Sequence, residues 1–451
     1  MQAITPEKVK GKFTFRFGVH PPHRKNFSES CEIEEFRLKS GQTVVVPLSQ
    51  HIGAPCESAV EKKQQVIAGQ LVGKSDAFVS APVFSPVNGT VTDISPQPVG
   101  TGGKVLSIVI TVGEEKSQPT AWKELKYGFD INSVESESIV DSIREAGIVG
   151  QGGAAFPTAV KLVKNQNKPI DTVILNACEC EPYLTCDYRL MLEAPNPMVA
   201  GLQLAMRAAG AEKGIIAIED NKPEAINEVM LAIRNLDNIQ LAICKTKYPQ
   251  GGERQLINAV LGRVVPTGGL PLDVGVVVVN AGTASSIYWA CADGRPLTER
   301  IVTVTGAGIS KAGNFRASIG MLISDLIEHC GGLTEDAEKV LLGGPMTGAA
   351  TGRLDVPILK GTSGITVLTR DDVAKEQEVA CIRCSRCVDH CPLKLAPTRI
   401  AHAVKARAID LALEYDLQAC IECGCCAFVC PSKIPLVQYM KSGKVLARNQ
   451  K

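Results

Sequence analysis

The sequence predicts a multidomain protein of mixed α/β and α+β class. Its 451 residues, at ~150 residues per domain, are enough for about three domains with cores of their own. Strand-like runs alternate four times with amphipathic helices in the middle of the chain, and two cysteine clusters dominate its last part. Hydrophobic residues make up 45% and charged residues 21%, which excludes a collagen-like, disordered or coiled-coil protein.

Charge, apolar runs and cysteine content narrow the class further. Lys and Arg number 48 against 47 Asp and Glu, and a net charge of +1 predicts no nucleic-acid partner. The longest apolar runs, such as Val274–Val279, fall far short of the ~20 residues of a bilayer span, so we expect no direct membrane span. The N-terminus lacks the apolar core of a signal peptide. Seventeen cysteines therefore indicate metal binding in a reducing compartment rather than a disulfide framework.

Residues 1–120 are predicted to form a compact β-domain. Short apolar runs are separated by Gly, Pro and Asn turns, a pattern typical of a small sandwich or barrel. The runs are Thr43–Val46, Val66–Val72, Phe78–Val83, Thr90–Ile94 and Val105–Val112.

Residues 130–295 are predicted to form a parallel α/β domain. Four strand-then-helix units with strongly apolar strands indicate a parallel sheet that helices cover on both faces. The strands are predicted at Thr172–Ala177, Gly214–Glu219, Ile239–Lys245 and Gly275–Asn280, and the helices at Pro197–Ala209, Pro223–Asn235, Glu253–Leu261 and Thr283–Ala292. Ligands of such sheets bind at the carboxyl ends of the strands.

The rest of the chain divides into two smaller parts. Residues 296–370 show short strands with one helix, Ile319–Cys330, closed by Gly331 and Gly332, and predict a small α+β module. Residues 371–451 predict helix and loop around the cysteine clusters, with helical spacing over Ala396–Tyr415 and a frayed tail over Lys441–Lys451.

The two cysteine clusters share the spacing C-x2-C-x2-C-x3-C-P, which predicts two [4Fe–4S] clusters. The first motif holds Cys381, Cys384, Cys387, Cys391 and Pro392, and the second holds Cys420, Cys423, Cys426, Cys430 and Pro431. In two-cluster ferredoxins the fourth cysteine of each motif serves the other cluster. We therefore assign Cys430 to the first three cysteines and Cys391 to the second three. Zinc sites need neither the third cysteine nor the proline, so zinc is the weaker alternative.

Four other cysteines lie near candidate sites. Cys425 falls inside the second motif but off its register, and a ligand role for it stays open. Cys178, Cys180 and Cys186 follow a predicted strand, where they indicate either a third metal site or, preferably, small hydrophobic residues beside a pocket.

A glycine-rich loop at Gly150–Lys161 leads into a predicted helix. Its glycines, Gly150, Gly152 and Gly153, let main-chain N–H groups approach an anion closely, and Lys161 adds a positive charge. Phe156 offers a planar apolar surface at the same place. The loop is neither a Walker loop nor a G-x-G-x-x-G fingerprint. The alternative is a plain loop before a helix that begins with proline.

Polar residues follow three of the predicted strands. They are Asn176 with Glu179 and Glu181, the loop Tyr248–Arg254, and Asn280 with Thr283. Amides, hydroxyls and carboxylates around one crevice suit a flavin or nicotinamide nucleotide. Glu179 is the candidate catalytic residue, although a general-base role has no supporting histidine. A solvated loop is the alternative for both glutamates.

These segments resemble two known groups of proteins. Gly150–Lys161, Asn176–Glu181 and the Gly251-Gly252-Glu253 loop resemble the flavin subunit of respiratory complex I. The RnfC family, whose members belong to the Rnf electron transport complex, is similar over nearly the whole chain. That similarity includes Gly18–Pro22, Gln50–Pro55, Asn176–Asp187, Tyr248–Leu256, Pro271–Gly275 and both cysteine motifs.

The resemblance implies a barrel-sandwich N-terminal domain, a parallel α/β domain that binds FMN and NADH, a β-grasp module of SLBB type and a helical two-cluster ferredoxin domain. It implies flavin contacts at Gly150, Gly152, Gly153, Asn176, Glu181, Asn280 and Thr283, and contacts with NADH or the flavin edge at Phe156, Lys161 and Glu179. The complex I loop has Arg where Gln151 stands and Gly where Ala155 stands, so nucleotide affinity is expected to differ.

The resemblance also implies a function. The chain would exchange a hydride between NADH and FMN and pass single electrons through two [4Fe–4S] clusters to the membrane subunits and a ferredoxin-type subunit of an Rnf-type ferredoxin:NAD oxidoreductase. It would lie peripherally at the cytoplasmic face of the cell membrane. The alternatives are a soluble flavin and iron–sulfur reductase like the cobalamin reductases, which the N-terminal β-domain disfavours, and a non-catalytic electron relay.

Overall fold

The computed structural model describes residues 10–100, 102–114, 121–373 and 377–449. The outermost parts of the predicted first and last domains, 1–9 and 450–451, lie outside the described residues. The strands are β1 (Ile33–Glu35), β2 (Thr43–Pro47), β3 (Glu57–Ser58), β4 (Gln65–Val66), β5 (Leu71–Lys74), β6 (Val83–Phe84), β7 (Gly89–Pro98), β8 (Lys104–Val112), β9 (Thr172–Ala177), β10 (Lys213–Glu219), β11 (Ile239–Cys244), β12 (Val276–Asn280), β13 (Glu299–Thr305), β14 (Gly313–Ser318), β15 (Ala337–Leu342), β16 (Ala349–Thr351) and β17 (Gly364–Thr369). The helices are α1 (Ser136–Glu145), α2 (Thr158–Leu162), α3 (Cys186–Glu193), α4 (Pro195–Ala209), α5 (Pro223–Ile233), α6 (Glu253–Leu261), α7 (Ala281–Asp293), α8 (Ile323–His329), α9 (Arg386–Asp389), α10 (Pro397–Lys405), α11 (Ile409–Glu414), α12 (Cys425–Phe428) and α13 (Leu436–Asn449).

Two small sheets build the N-terminal β-domain. One has four antiparallel strands in the order β2-β8-β7-β4, and the other has three in the order β3-β5-β6. Val44 and Val46 on β2 face the same core as Ile108 and Ile110 on β8, and all four side chains are fully buried. Alternate residues of these strands therefore close a sandwich, as the turn-separated apolar runs predict.

The central domain holds a four-stranded parallel sheet in the order β11-β10-β9-β12. Alternate residues of its strands pack on opposite faces. On β9, Val173 and Leu175 share a core with α4 and α7, whereas Ile174 shares a second core with Leu256 of α6. Because both faces are covered, the strands are apolar throughout, and this is the property that makes them visible in the sequence.

A six-stranded mixed sheet, β1-β14-β13-β17-β15-β16, forms the α+β module. Its first strand comes from ahead of the sandwich, where Ile33–Glu35 pairs in parallel with β14. The predicted helix over Ile319–Cys330 is too long, since α8 begins only at Ile323. Met321 pairs with Val44 of the sandwich, and Gly320 before it has a φ of 98°. The sandwich and the module therefore share one core.

Helices α10, α11 and α13 support the two cysteine motifs at the C-terminal end. Ile400 and Val404 of α10 pack against Leu436 and Met440 of α13 in one buried cluster. The expected frayed tail is wrong as far as Asn449, because α13 continues to that residue and buries Ala447. Within the described ranges, none of the helices has the length and apolar character needed to cross a bilayer.

Candidate functional site

Two asparagines mark the carboxyl edge of the parallel sheet. Asn176 ends β9 directly beside Asn280, which ends β12. The Asn176 side chain donates to the Gly251 carbonyl at 2.7 Å and accepts from the Cys178 amide at 3.2 Å. Asn280 caps α7, where its side-chain oxygen accepts from the amides of Gly282 and Thr283. The three strand ends that the sequence singles out thus meet around one crevice.

The glycine-rich loop lies over this edge with its middle open. The Gly150 amide donates to the Phe156 carbonyl at 2.8 Å, and the Gln151 amide donates to the Thr283 hydroxyl at 2.9 Å. The next three amides, of residues 152–154, have no acceptor among the described residues. Gly153 has a φ of 125° and no atom within 4 Å of a Cβ built on it. The loop therefore presents a short run of unpaired N–H groups to open space, as an anion site requires.

Gln151 turns away from this opening. Its side chain is buried and donates to the Ser286 hydroxyl at 2.6 Å and to the Gly282 carbonyl at 3.3 Å. The position that carries Arg in the complex I loop is used here to fasten the loop to the first turn of α7.

Phe156 and Lys161 lie at the mouth of the crevice. Phe156 is half-buried just before α2. The Lys161 ammonium is 3.1 Å from the Glu253 carboxylate, and both side chains keep about a third of their surface exposed. An exposed pair of this kind is weak, so an anionic ligand can compete for the lysine.

Glu179 and Glu181 have fixed partners, contrary to the solvated-loop alternative. Glu179 is buried, 3.4 Å from the Lys25 ammonium, and accepts from the Asp187 amide at 2.8 Å. Glu181 accepts from the Met346 amide at 2.7 Å and from the Thr347 hydroxyl at 3.1 Å. Burial raises the pKa of the Glu181 carboxyl, although these donors oppose the shift. Glu181 thus ties the crevice to the α+β module.

The crevice contains a lysine that sequence reasoning missed. Lys25 is only 7% exposed and donates to the Glu181 and Leu184 carbonyls as well as pairing with Glu179. It lies on the N-terminal segment, which crosses the edge of the sheet where Val19 pairs with Tyr248. Nothing local signals this role, because Lys25 and Glu179 are 154 residues apart in the chain.

Asp187 is a second residue to which the sequence pattern assigns no role. Its carboxylate accepts from the Asn280 side chain at 2.7 Å. Burial, and secondarily the nearby charge of Glu179, raise the pKa of the Asp187 carboxyl to about 6. The crevice therefore includes one carboxyl group that titrates close to neutral pH.

The two cysteine motifs interlock in the C-terminal part. Cys391 of the first motif lines the same small cavity as Cys420, Cys423 and Cys426 of the second. Main-chain amides point at the sulfur atoms, among them the Leu395 amide at 3.4 Å from Cys391 Sγ. In the described residues no three His, Cys, Asp or Glu side chains converge on one metal ion. Thiolates spread around a cavity suit a cluster, which offers separate iron atoms, better than a single zinc ion.

Of the remaining cysteines, Cys425 is fully buried beside Val19 and Tyr248. Cys178 belongs to the core beneath the sheet, and its thiol donates to the Ala217 carbonyl at 3.4 Å. Burial raises the pKa of the Cys186 thiol well above its ordinary value. These environments favour the packing interpretation of Cys178 and Cys186 over a third metal site.

The second cysteine motif lies against the crevice. The Tyr248 hydroxyl donates to the Cys423 carbonyl at 2.7 Å, and Tyr248, Cys180 and Cys423 pack in one cluster. Cys384 of the first motif is exposed instead. The motifs therefore differ in position, one next to the crevice and one with a cysteine at the surface.

Family models match four successive parts of the chain. They are the RnfC barrel sandwich hybrid domain over residues 13–115, the Nuo51 FMN-binding domain over 143–289, the SLBB domain over 301–350 and the 4Fe-4S dicluster domain over 380–434. These matches confirm the predicted four-part architecture.

Curated relatives from ion-translocating complexes are similar over most of their length. The RnfC-type component of the proton-translocating ferredoxin:NAD(+) oxidoreductase complex of Clostridium ljungdahlii is 44% identical over 389 residues, which cover 86% of this chain and 84% of the relative. Its counterpart in the Na(+)-translocating ferredoxin:NAD(+) oxidoreductase complex of Acetobacterium woodii is 42% identical, with 86% of both chains covered. The counterpart in the ion-translocating oxidoreductase complex of Rhodobacter capsulatus is 39% identical, with 96% of this chain and 83% of the relative covered.

A solved structure shares the fold. The NAD+-reducing [NiFe]-hydrogenase in its H2-reduced state superposes with a TM-score of 0.50 and 19% identity, over 69% of this chain and 63% of that chain.

The buried pair of Lys25 and Glu179 yields a prediction about stability. Lys25→Met leaves the Glu179 carboxylate buried without its counter-charge, so it should lower the free energy of unfolding by about 3 kcal/mol. The exposed pair of Lys62 and Asp93 provides the control, and Lys62→Met should cost less than about 1 kcal/mol. Urea denaturation followed by tryptophan fluorescence measures both. Equal costs for the two substitutions would contradict a buried ion pair at this site, and adding Glu179→Gln to Lys25→Met should recover part of the loss.

Proposed function

The chain belongs to the RnfC family of ion-translocating oxidoreductase complexes, and from this membership we propose that it exchanges a hydride between NADH and FMN and passes single electrons through two [4Fe–4S] clusters. The observation that carries the proposal is the contact between the Tyr248 hydroxyl and the Cys423 carbonyl. It sets a cysteine motif against the crevice of the glycine-rich loop. A nucleotide site that handles electron pairs thereby adjoins a carrier of single electrons.

The crevice has the groups that an FMN molecule needs. Unpaired amides at 152–154 suit its phosphate, and the asparagine and threonine side chains at the strand ends suit its polar edges. When bound, FMN would supply the conversion between hydride transfer and single-electron transfer. We propose that Gly150, Gly152, Gly153, Asn176, Glu181, Asn280 and Thr283 hold it.

NADH would bind at the mouth of the crevice. Phe156 offers an apolar ring surface there, and Lys161 offers a positive charge to a phosphate once it leaves Glu253. We propose Glu179 as the reactive-site carboxylate. Its fixed contacts with Lys25 and the Asp187 amide suit orientation of the bound nucleotides better than proton transfer.

The cysteine motifs would form a chain of two clusters. Cys420, Cys423, Cys426 and Cys391 would hold the one beside the crevice, and Cys381, Cys384, Cys387 and Cys430 the one nearer the surface. The outer cluster would exchange electrons with the membrane subunits and a ferredoxin-type subunit of an Rnf-type complex. Ion transport would then belong to those partners, with this chain at the cytoplasmic face of the membrane.

The two alternatives predict different compositions and activities. A cobalamin-reductase-like enzyme would not use the N-terminal β-domain, yet the Ile52 amide of that domain donates to the Ala155 carbonyl of the loop at 3.3 Å. A non-catalytic relay would lack flavin. Iron, acid-labile sulfide and flavin content of the anaerobically purified chain, with NADH-dependent reduction of a dye, test the proposal directly. Absence of flavin together with absence of dye reduction would refute it.

The loop residues yield a prediction about nucleotide binding. Phe156→Ala and Lys161→Ala should each weaken NADH binding by about 1–3 kcal/mol, since they remove a ring surface and a charged hydrogen bond. Iron content should not change. Lys164→Ala is the matched control, because Lys164 lies one turn further and pairs with the Ser136 hydroxyl instead. Unaltered NADH-dependent dye reduction in the first two variants would remove this loop from the NADH site.

Crossed ligation yields a prediction about the clusters. Cys391→Ala should damage the cluster of Cys420, Cys423 and Cys426 and spare the cluster of its own motif. Cys430→Ala should do the reverse. Both variants are made with Cys425→Ser, so that the neighbouring thiolate cannot substitute. Low-temperature EPR of the reduced protein distinguishes the two signals. Loss of the cluster that belongs to the mutated motif would show local ligation instead.

A further inference from the structure

Two cations are buried behind the glycine-rich loop without a counter-charge. Arg300 of β13 is 5% exposed and Lys360 is 1% exposed. Neither has a carboxylate within ion-pair distance among the described residues. Other buried cations of the chain are compensated: Lys25 pairs with Glu179, and Lys222 pairs with Glu219 at 3.0 Å. Burial of an unpaired charge is costly, so these two positions require an explanation.

Both cations hold carbonyl groups of the loop region. The Lys360 ammonium donates to the Gly147 carbonyl at 2.8 Å and to the Pro82 carbonyl at 2.6 Å. Both terminal nitrogens of Arg300 donate to the Gln151 carbonyl at 3.1 Å, and one also donates to the Lys360 carbonyl. A Cβ at Gly147 would approach the Lys360 ammonium to 2.9 Å, so the glycine leaves room for the lysine. The carbonyls of the loop thus point towards the cations.

Little negative charge lies near the two side chains. Burial lowers the pKa of Lys360 to about 7, and burial also lowers the pKa of Arg300, an effect that Cys186 and Asp187 partly offset. The Nε atom of Arg300 has no hydrogen-bond partner. An anion bound to the amides of residues 152–154 would lie across the loop from these charges. In the weakly polarisable interior such an anion would be attracted through the backbone.

We infer that Arg300 and Lys360 are positioning residues of the flavin site, which turn the amides of the glycine-rich loop outward and supply the positive charge that selects a phosphorylated flavin. This inference rests on the proposed function. Neither residue touches the ligand, because the loop lies between them and the crevice. Their effect is therefore expected on the phosphate and not on the flavin ring.

The test compares FMN with riboflavin, which lacks the phosphate. Flavin-free full-length protein with intact clusters is titrated with each compound, and quenching of flavin fluorescence gives the affinity. Wild type should bind FMN at least about tenfold more tightly than riboflavin, as one charged hydrogen-bond interaction implies. Arg300→Met and Lys360→Met should each weaken FMN binding by a similar factor and leave riboflavin binding within about twofold. Arg300→Lys should restore part of the FMN preference.

The neighbouring strand supplies a matched control. Arg316 lies on β14 opposite Ile301 and is paired with both Glu35 and Glu299, so Arg316→Met should leave the FMN preference intact. Equal weakening of FMN and riboflavin in the Arg300 and Lys360 variants would reduce both residues to structural supports and overturn the inference. So would a wild-type protein without FMN preference, which remains decisive if a methionine variant does not fold. A wild-type protein that binds neither flavin would overturn the proposed function as well.

Discussion

The arrangement of the crevice depends on how the loop at 147–156 is held. Each of three domains fastens a different part of it: Thr283 of the α/β domain binds the Gln151 amide, Arg300 of the α+β module binds the Gln151 carbonyl, and Ile52 of the sandwich binds the Ala155 carbonyl. A loop of small residues has high conformational entropy when free, so three anchors are needed to keep its unpaired amides in one direction. The flavin site is therefore a property of the domain assembly and not of the α/β domain alone.

The same constraint explains why the domains share cores. Strand β1 leaves the N-terminal part of the chain to join the sheet of the α+β module, and Val44 packs with Met321 across the domain boundary. If the sandwich moved relative to the module, the anchors at Ile52 and Lys360 would separate. A continuous apolar core resists such motion because shearing it would expose buried surface to water.

The sequence determines most of the α/β domain and both cysteine motifs. Strands β9 to β12 lie within one residue of their predicted positions, because apolar runs end in Gly, Asn or Pro and both sheet faces are covered. The ligand residues themselves are local signals. Lys25, Arg300 and Lys360 are not, since each acts on residues more than a hundred positions away. The helix α8 is shorter than its pattern because Met321 pairs with a strand of another domain.

The position of charge at the loop distinguishes this chain from the complex I pattern that it resembles. An arginine at residue 151 could extend into the crevice, but Gln151 is neutral and its side chain is fixed against Ser286. The buried guanidinium of Arg300 holds the carbonyl of that same residue from the opposite side. A positive charge placed behind the backbone acts on the ligand without occupying the crevice, and it cannot move towards solvent when the crevice is empty. Because the interior responds weakly to charge, such a fixed cation needs no reorganisation when an anion binds. The loop can therefore remain open at Gly153 and still favour a phosphate.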